Sequence, residues 1–317
     1  MSPSGSAIAG RRILVTGGAG FIGSHLVDAL LARGAAHVTV LDSMKYAHSR
    51  ERPPEDRVTL LEFTLGTDPQ ARLVEALAGV DLLFHLAAEK HNQSLPDPQH
   101  LLAANIAGTY DLYEAAGRAG VKKLVFTSSL YAYGRVSGPP MLETEVPRPW
   151  TLYGISKLTG EHLAAHARDK HGLPYTVLRY FFVYGPRQFP GMGYKSVVVS
   201  NFERLRRGEA PVVFGDGLQE LDYVYVDDVV DATILAMESD LDREVLNVGS
   251  SHATSIADLT QAMVDVSGQR TSPRHAAADW TQGSSRVSDT SKIRRLLGWE
   301  PRVSLRDGLA RTYSSLR

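Results

Sequence analysis

The chain has no cysteine in its 317 residues, which removes disulfides, thiolate nucleophiles and cysteine-ligated metals together. It also lacks a long apolar run. Nowhere do about eighteen apolar residues follow one another, so no membrane-spanning helix is expected. Its first residues, MSPSGSAIAGRR, place no apolar core behind a basic segment and do not read as a signal peptide. Nor is there an excess of either charge: 34 basic side chains stand against 35 acidic ones, which argues against nucleic acid or an anionic membrane as a partner. These absences make a cytoplasmic enzyme the expectation. With 43% hydrophobic residues, the chain has enough apolar material for one large core and a smaller second lobe.

What is present is a rhythm. Short apolar runs predict strands over 12–16, 37–42, 81–87, 123–128 and 175–179, and longer amphipathic stretches between them predict helices over 23–33, 105–119 and 153–171. Such alternation makes βαβ units, hence a parallel sheet with helices on both faces. The expected fold is α/β, a Rossmann-like doubly wound parallel sheet with a smaller α/β C-terminal substrate lobe. Beyond residue 180 loops rich in glycine and proline interrupt the pattern. The expected division is a dinucleotide-binding domain over 1–180, to which 223–250 returns, and a substrate-binding lobe over 181–222 and 251–317.

Gly17-Gly18-Ala19-Gly20-Phe21-Ile22-Gly23 follows the strand Ile13-Leu14-Val15-Thr16 and opens a helix. A pyrophosphate needs small residues at such a turn, because it must approach main-chain N–H groups and the helix must pack near the strand. Strand, glycines and helix in that order are a specific signal where the glycine spacing alone is weak. Asp42 ends the next strand, about nineteen residues past the last glycine. A carboxylate there accepts ribose hydroxyls and repels a 2′-phosphate, so NAD is favoured over NADP. Arg50 and Arg52 lie downstream, where a solvated loop is their simplest reading.

Tyr153-Gly154-Ile155-Ser156-Lys157 sets a phenol and an ammonium four apart, on one helix face. An ammonium nearby favours the phenolate, which would make Tyr153 a general base toward an alcohol and Lys157 its electrostatic partner. Tyr-x-x-x-Lys on its own is common on amphipathic helices. In combination with the glycine turn and a serine at a strand end, the chain resembles the extended short-chain dehydrogenases/reductases, the branch of NAD-dependent sugar epimerases and dehydratases. The segments that carry the resemblance are "VTGGAGFIG", "LFHLAAEK", "NIAGTYDLYEAA", "VFTSSLYAYG", "TLYGISK", "RYFFVYGPRQ", "FGDGLQELDYVYVDDVVDA" and "SDTSKIRRLLGWEP", spread over nearly the whole chain.

The resemblance implies Ser129, Tyr153 and Lys157 as the catalytic trio. It implies NAD held at Gly17, Gly20, Phe21, Ile22, Gly23 and Asp42, with Ala87, Lys90, Asn105 and Tyr180 joining Tyr153 and Lys157 around it. It also implies a homodimer through the helices over 105–119 and 153–171. Dehydratases of the family carry an Asp-Glu pair after the catalytic Ser/Thr, and decarboxylases a Glu at the second position; here Leu130 and Tyr131 stand there. Neither can serve as a carboxyl acid or base, which leaves epimerisation.

The family holds the substrate diphosphate with an Asn in "RxFNVYGP" and an Arg in "GDGxQxRDF", where this chain has Phe182 and Leu221. Three readings follow. Other cations, Arg187, Lys195 or Arg286, hold a nucleotide sugar; the substrate lacks the diphosphate; or the lobe binds no sugar. The first is favoured, with Ser129, Leu130, Tyr131, Tyr153 and Phe182 completing the expected substrate contacts. The expected activity is therefore NAD-dependent epimerisation of a nucleotide-linked hexose or hexuronate, simplest at C4. The rivals are a net NAD-dependent ketoreductase or dehydrogenase using the same trio, and a catalytically silent NAD-binding regulator.

Several residues have plainer readings. His162 and His166, one turn apart, suit a solvated or dimer-facing pair better than a metal, and no metal site is expected. His85 in "LLFHLAA" reads as a hydrogen-bonded core histidine, and Asp227 and Asp228 as helix N-terminal capping. The aromatic cluster Tyr180, Phe181, Phe182 and Tyr184 serves core packing and ligand contact equally well.

Overall fold

The computed structural model describes residues 7–45, 47, 56–91, 95–134, 138–188, 195–278 and 283–316. Arg50 and Arg52 lie outside them. The apolar runs form β1 (Arg12–Thr16), β2 (His37–Asp42), β3 (Val58–Glu62), β4 (Leu82–His85), β5 (Lys123–Ser129) and β6 (Tyr175–Tyr180). Every residue of β4, β5 and β6 is buried, as strands covered on both faces must be. β3, whose sequence VTLLE is largely exposed, forms one edge of the sheet; it carries no continuous apolar run and was not anticipated.

The strand Glu244–Val248 forms the opposite edge, and the seven strands lie in the order Glu244–Val248, β6, β5, β4, β1, β2, β3. The pairs β3–β2, β2–β1, β1–β4 and β4–β5 run parallel. Strand order therefore reverses beside β1, between β2 and β4, and the crevice at the C-terminal ends of strands at such a switch point is where open α/β sheets bind ligands. Helices Gly108–Ala119 and Leu152–His171 pack together, and their Leu112, Tyr113, Ala116, Ala164 and Ala167 share a core with Leu83, Leu124 and Phe126 of the sheet. Gly160 permits this closeness, because a Cβ there would stand 2.5 Å from the Phe126 ring.

The chain divides into two units: Met1–Arg135 with Val146–Arg179 and Val230–Leu246, and Val136–Glu145 with Tyr180–Val229 and Asn247–Arg317. The expected return of 223–250 thus needs revision at both ends. Tyr223–Tyr225 pairs in parallel with Phe182–Tyr184 in a sheet of its own, and Asn247 onward clusters with the second unit.

The second unit holds small sheets. One joins Thr254–Ser255, Glu220–Leu221 and Ser285–Arg286; another pairs Val212–Phe214 with Arg274–Ala276. Its hub is Asp222, fully buried, whose carboxylate accepts from the backbone N–H and hydroxyl of Ser250, the N–H of Ser251, and the N–H and hydroxyl of Ser288, at 2.5 to 3.1 Å. Asp227 and Asp228 stand in the first turn of the helix Val226–Glu238, as the sequence predicts, and the buried Asp228 carboxylate also takes the N–H groups of Arg302 and Val303 at 3.0 Å each.

Candidate active site

The glycine turn is shaped by contacts that leave no room for side chains. Gly17 has φ +70°, and a Cβ on it would lie 2.8 Å from the Ala87 nitrogen; a Cβ on Gly23 would lie 2.1 Å from the Gly17 carbonyl oxygen. The loop after β1, the loop after β4 and the start of helix Phe21–Ala32 are thus drawn together at the switch point. The helix's first N–H groups have no intrahelical partner, which makes its start fit for a pyrophosphate. Asp42 hangs from the same loop: its carboxylate accepts from the N–H of Ala19 at 3.0 Å and of Met44 at 2.9 Å, and burial raises its pKa. The cradle and the carboxylate at the end of β2 fit a dinucleotide.

Thr16 secures this floor. Its hydroxyl oxygen accepts from the N–H of Leu86 and of Ala87, at 3.1 Å each, and lies 2.7 Å from His85 Nδ1. With two donors already pointing at it, the Thr16 hydroxyl must give its own proton to Nδ1, so His85 carries its hydrogen on Nε2, 3.0 Å from Thr109 Oγ1. Burial pushes the His85 pKa down to about 3. It is a neutral core histidine.

The reactive face comes from β5 and the helix Leu152–His171. Thr151 caps that helix by accepting from the Gly154 N–H at 3.0 Å, and a Cβ on Gly154 would stand 2.3 Å from the Tyr131 carbonyl oxygen. The helix start is therefore pressed onto the short 3₁₀ turn Leu130–Ala132 that follows Ser129. Ser129, at the end of β5, acts on the Tyr153 hydroxyl, favouring its ionised form. One turn on, Lys157 donates to the Thr127 carbonyl at 2.8 Å, with its Nζ 5.8 Å from the Tyr153 ring centroid and 5.0 Å from that of Phe126.

The electrostatics correct one expectation. Burial pushes Tyr153 up to about 12, with Ser129 pulling the other way, and pulls Lys157 down to about 7, with Glu161 opposing. In both groups desolvation is the largest influence.

The other expected residues separate into groups. Leu130 is 2% exposed and packs as core; Tyr131 is half-buried, its ring 5.5 Å from those of Tyr153 and His91. Asn105 is buried in a π-turn, Ala103–Ala107, and both ends of its amide are occupied. Oδ1 accepts from the Glu89 N–H at 2.8 Å, and Nδ2 donates to the Glu89 carbonyl and Ser156 Oγ at 2.9 and 3.1 Å. It ties the loop after β4 to the reactive helix. Lys90 is exposed on that loop.

Tyr180, Phe182, Arg187, Lys195 and Arg286 belong to the second unit. Tyr180 is buried, and Phe182 packs on Tyr223 with ring centroids 5.8 Å apart. Lys195 is gripped by both carboxylate oxygens of Glu203, at 2.9 and 2.7 Å, so its charge is already compensated. Arg286 is the register partner of Leu221 on the adjacent parallel strand. Among the described residues, no three His, Asp or Glu side chains gather as a metal site, and no helix is long and apolar enough to cross a membrane.

One group escaped the sequence reading. Beneath Lys157, the buried Glu161 receives Arg179 through a two-pronged contact, Nε at 2.9 Å and Nη2 at 2.7 Å, and Ser128 Oγ at 2.5 Å. Its only trace in the sequence is the continuation of the four-residue step from Tyr153 through Lys157 to Glu161.

A doubly wound fold with a glycine turn at the switch point and a Ser-Tyr-Lys group beside it defines a dinucleotide-dependent enzyme. Residues 13–249 match the model of the NAD dependent epimerase/dehydratase family, and the chain belongs to that family and uses NAD. It is 36% identical over 311 residues to the UDP-glucose 4-epimerase of Mycolicibacterium smegmatis, covering 96% of this chain and 98% of the relative. Among solved structures it resembles the UDP-glucose 4-epimerase of Thermotoga maritima, crystallised with UDP-glucose: TM-score 0.89, 38% identity, 96% of this chain and 98% of the other. It also resembles the UDP-glucuronic acid 4-epimerase of Bacillus cereus in complex with UDP-glucuronic acid and NAD, with TM-score 0.83, 32% identity and the same coverage.

Proposed function

We propose that the chain is a 4-epimerase of a nucleotide-linked hexose or hexuronate. The carrying observation is that Ser129, Tyr153 and Lys157 are assembled for alcohol oxidation while the two positions after Ser129 hold a core leucine and a tyrosine. NAD, when bound, supplies a hydride acceptor and donor. Tyr153 must be a phenolate to take the proton of the sugar hydroxyl, and the Lys157 ammonium is the charge one turn away that favours that form, while Ser129 hydrogen-bonds the same oxygen as charge develops. Leu130 and Tyr131 offer no carboxyl group to drive elimination. The keto sugar is reduced again, and return on its other face inverts the carbon.

The diphosphate reading favours Arg286. Its place beside Leu221 in the strand register puts a guanidinium next to the position where the family carries its arginine. Lys195 is the weaker candidate because Glu203 holds it. The first unit is the NAD-binding part and the second the substrate part in this reading, and the homodimer rests on the helices Gly108–Ala119 and Leu152–His171, where Tyr110 and Ile155 are exposed.

The test is incubation with UDP-glucose and, separately, UDP-glucuronate, with the products resolved by chromatography. Appearance of the C4 epimer without bulk change at 340 nm is expected. Stoichiometric NADH formation would instead establish the dehydrogenase alternative, which Phe182 and Leu221 keep in view by removing two of the usual phosphate contacts.

A further inference from the structure

Tyr153, Lys157 and Glu161 succeed one another at four-residue steps along one helix face. Tyr153 and Lys157 have roles in the proposed chemistry, whereas Glu161 touches nothing that reacts. It is nonetheless 7% exposed, and every partner it has leads to the reactive end of β5. Ser128, which donates to it, is the residue before Ser129. Arg179, which it binds through two parallel contacts, lies with its guanidinium 4.4 Å from the ring centroid of Tyr133, just past the turn that follows Ser129. Thr127, on the other side of Ser128, receives Lys157. Two consecutive residues of β5, Thr127 and Ser128, are thereby fastened to Lys157 and Glu161, directly before Ser129.

We propose that Glu161 is a positioning residue for the reaction: through Ser128 and Arg179 it fixes the Ser129 end of β5 against the reactive helix, and as the buried anion one turn from Lys157 it keeps that ammonium charged.

The groups around Lys157 leave this second task to Glu161. Tyr153 is on its own helix and neutral; Phe126, Thr127, Ser128 and Ser129 face it from β5 without charge; His85 on β4 is neutral; and Arg179 on β6 brings a positive charge that Glu161 already binds. Burial lowers Lys157, and Glu161 is the group that opposes the fall. A neutral Lys157 would give a developing phenolate on Tyr153 no counter-charge.

The inference rests on the Ser129, Tyr153, Lys157 assignment, and its test separates the two. In Glu161→Gln, which keeps hydrogen-bonding capacity and removes the charge, the Lys157 ε-ammonium is titrated by NMR, which needs no substrate. Its midpoint is expected to fall by about one pH unit or more relative to wild type, with Glu161→Asp restoring most of the difference. An unchanged midpoint in folded Glu161→Gln overturns the electrostatic arm. Ser128→Ala leaves the ion pair intact and tests the clamp even if Glu161→Gln fails to fold. With UDP-galactose or UDP-galacturonate, whichever the wild type converts, a fall in kcat of about tenfold is expected, with KM and the alkaline limb of the pH profile unmoved. Wild-type kcat in folded Ser128→Ala overturns the clamp. If Tyr153→Phe keeps full turnover, it is the trio assignment that fails.

Discussion

Replacing Lys157 by methionine should remove the proposed chemistry and strengthen the fold at neutral pH. The Lys157 side chain is 4% exposed, and burial carries its pKa from 10.5 to about 7. Above pH 10.5 the proton is absent from folded and unfolded chains alike and has no effect. As the pH falls through 10.5 the unfolded chain binds it and the folded one does not, so stability declines until about pH 7, below which both hold it and the deficit is constant. At about 1.36 kcal/mol for each tenfold change in protonation equilibrium, the deficit at neutral pH is on the order of 4 to 5 kcal/mol.

Methionine fills a similar volume without a charge but leaves the Thr127 carbonyl without its 2.8 Å donor, a loss of about 1 to 3 kcal/mol. The variant should therefore be about 1 to 4 kcal/mol more stable at pH 7, with kcat reduced by about 10² to 10⁴. Urea unfolding of both proteins at pH 7 and pH 10 is the assay, and the advantage should vanish or reverse at pH 10. A variant less stable than wild type at pH 7, or an advantage equal at both pH values, would refute the reasoning.

Other substitutions probe the rest of the site. Tyr153→Phe should lower kcat by about 10² to 10⁴ with little change in unfolding midpoint, since the ring and its packing on Tyr131 are kept. Gly23→Ala must push the helix start off the Gly17 carbonyl, only 2.1 Å from the added Cβ, so the purified variant should release little or no NAD on denaturation; a full complement of nucleotide would contradict the cradle. Arg286→Leu should raise KM for the nucleotide sugar about tenfold or more while kcat holds, and an unchanged KM would return the diphosphate to another cation.

The parts of the site legible in the sequence are those built from neighbours in the chain. The glycine turn, Asp42 at the end of β2 and the Tyr153–Lys157 step are all local patterns, and the structure places each where the spacing predicts. What escaped depends on partners far apart in sequence. Glu161 and Arg179 are 18 residues apart and Asp222 and Ser288 are 66 apart, and no periodicity links either pair. The burial of Leu130 in the 3₁₀ turn after Ser129 is likewise not visible in the local sequence. Asp228 sits at a helix start as its sequence suggests, but its hold on the backbone of Arg302 and Val303 has no local trace. β3 was missed because an exposed edge strand has no apolar run to announce it.

The Asp222 hub gives the second unit a property of its own. Ser250 and Ser251 leave that carboxylate and Ser288 comes back to it, so residues 252–287 form an excursion that begins and ends at one fixed point. Within it lie the helix Ile256–Ser267 and, on its return, Arg286. Since both ends of this segment are tied to one buried carboxylate, Asp222→Asn should loosen its start and its end together, the strand that carries Arg286 included.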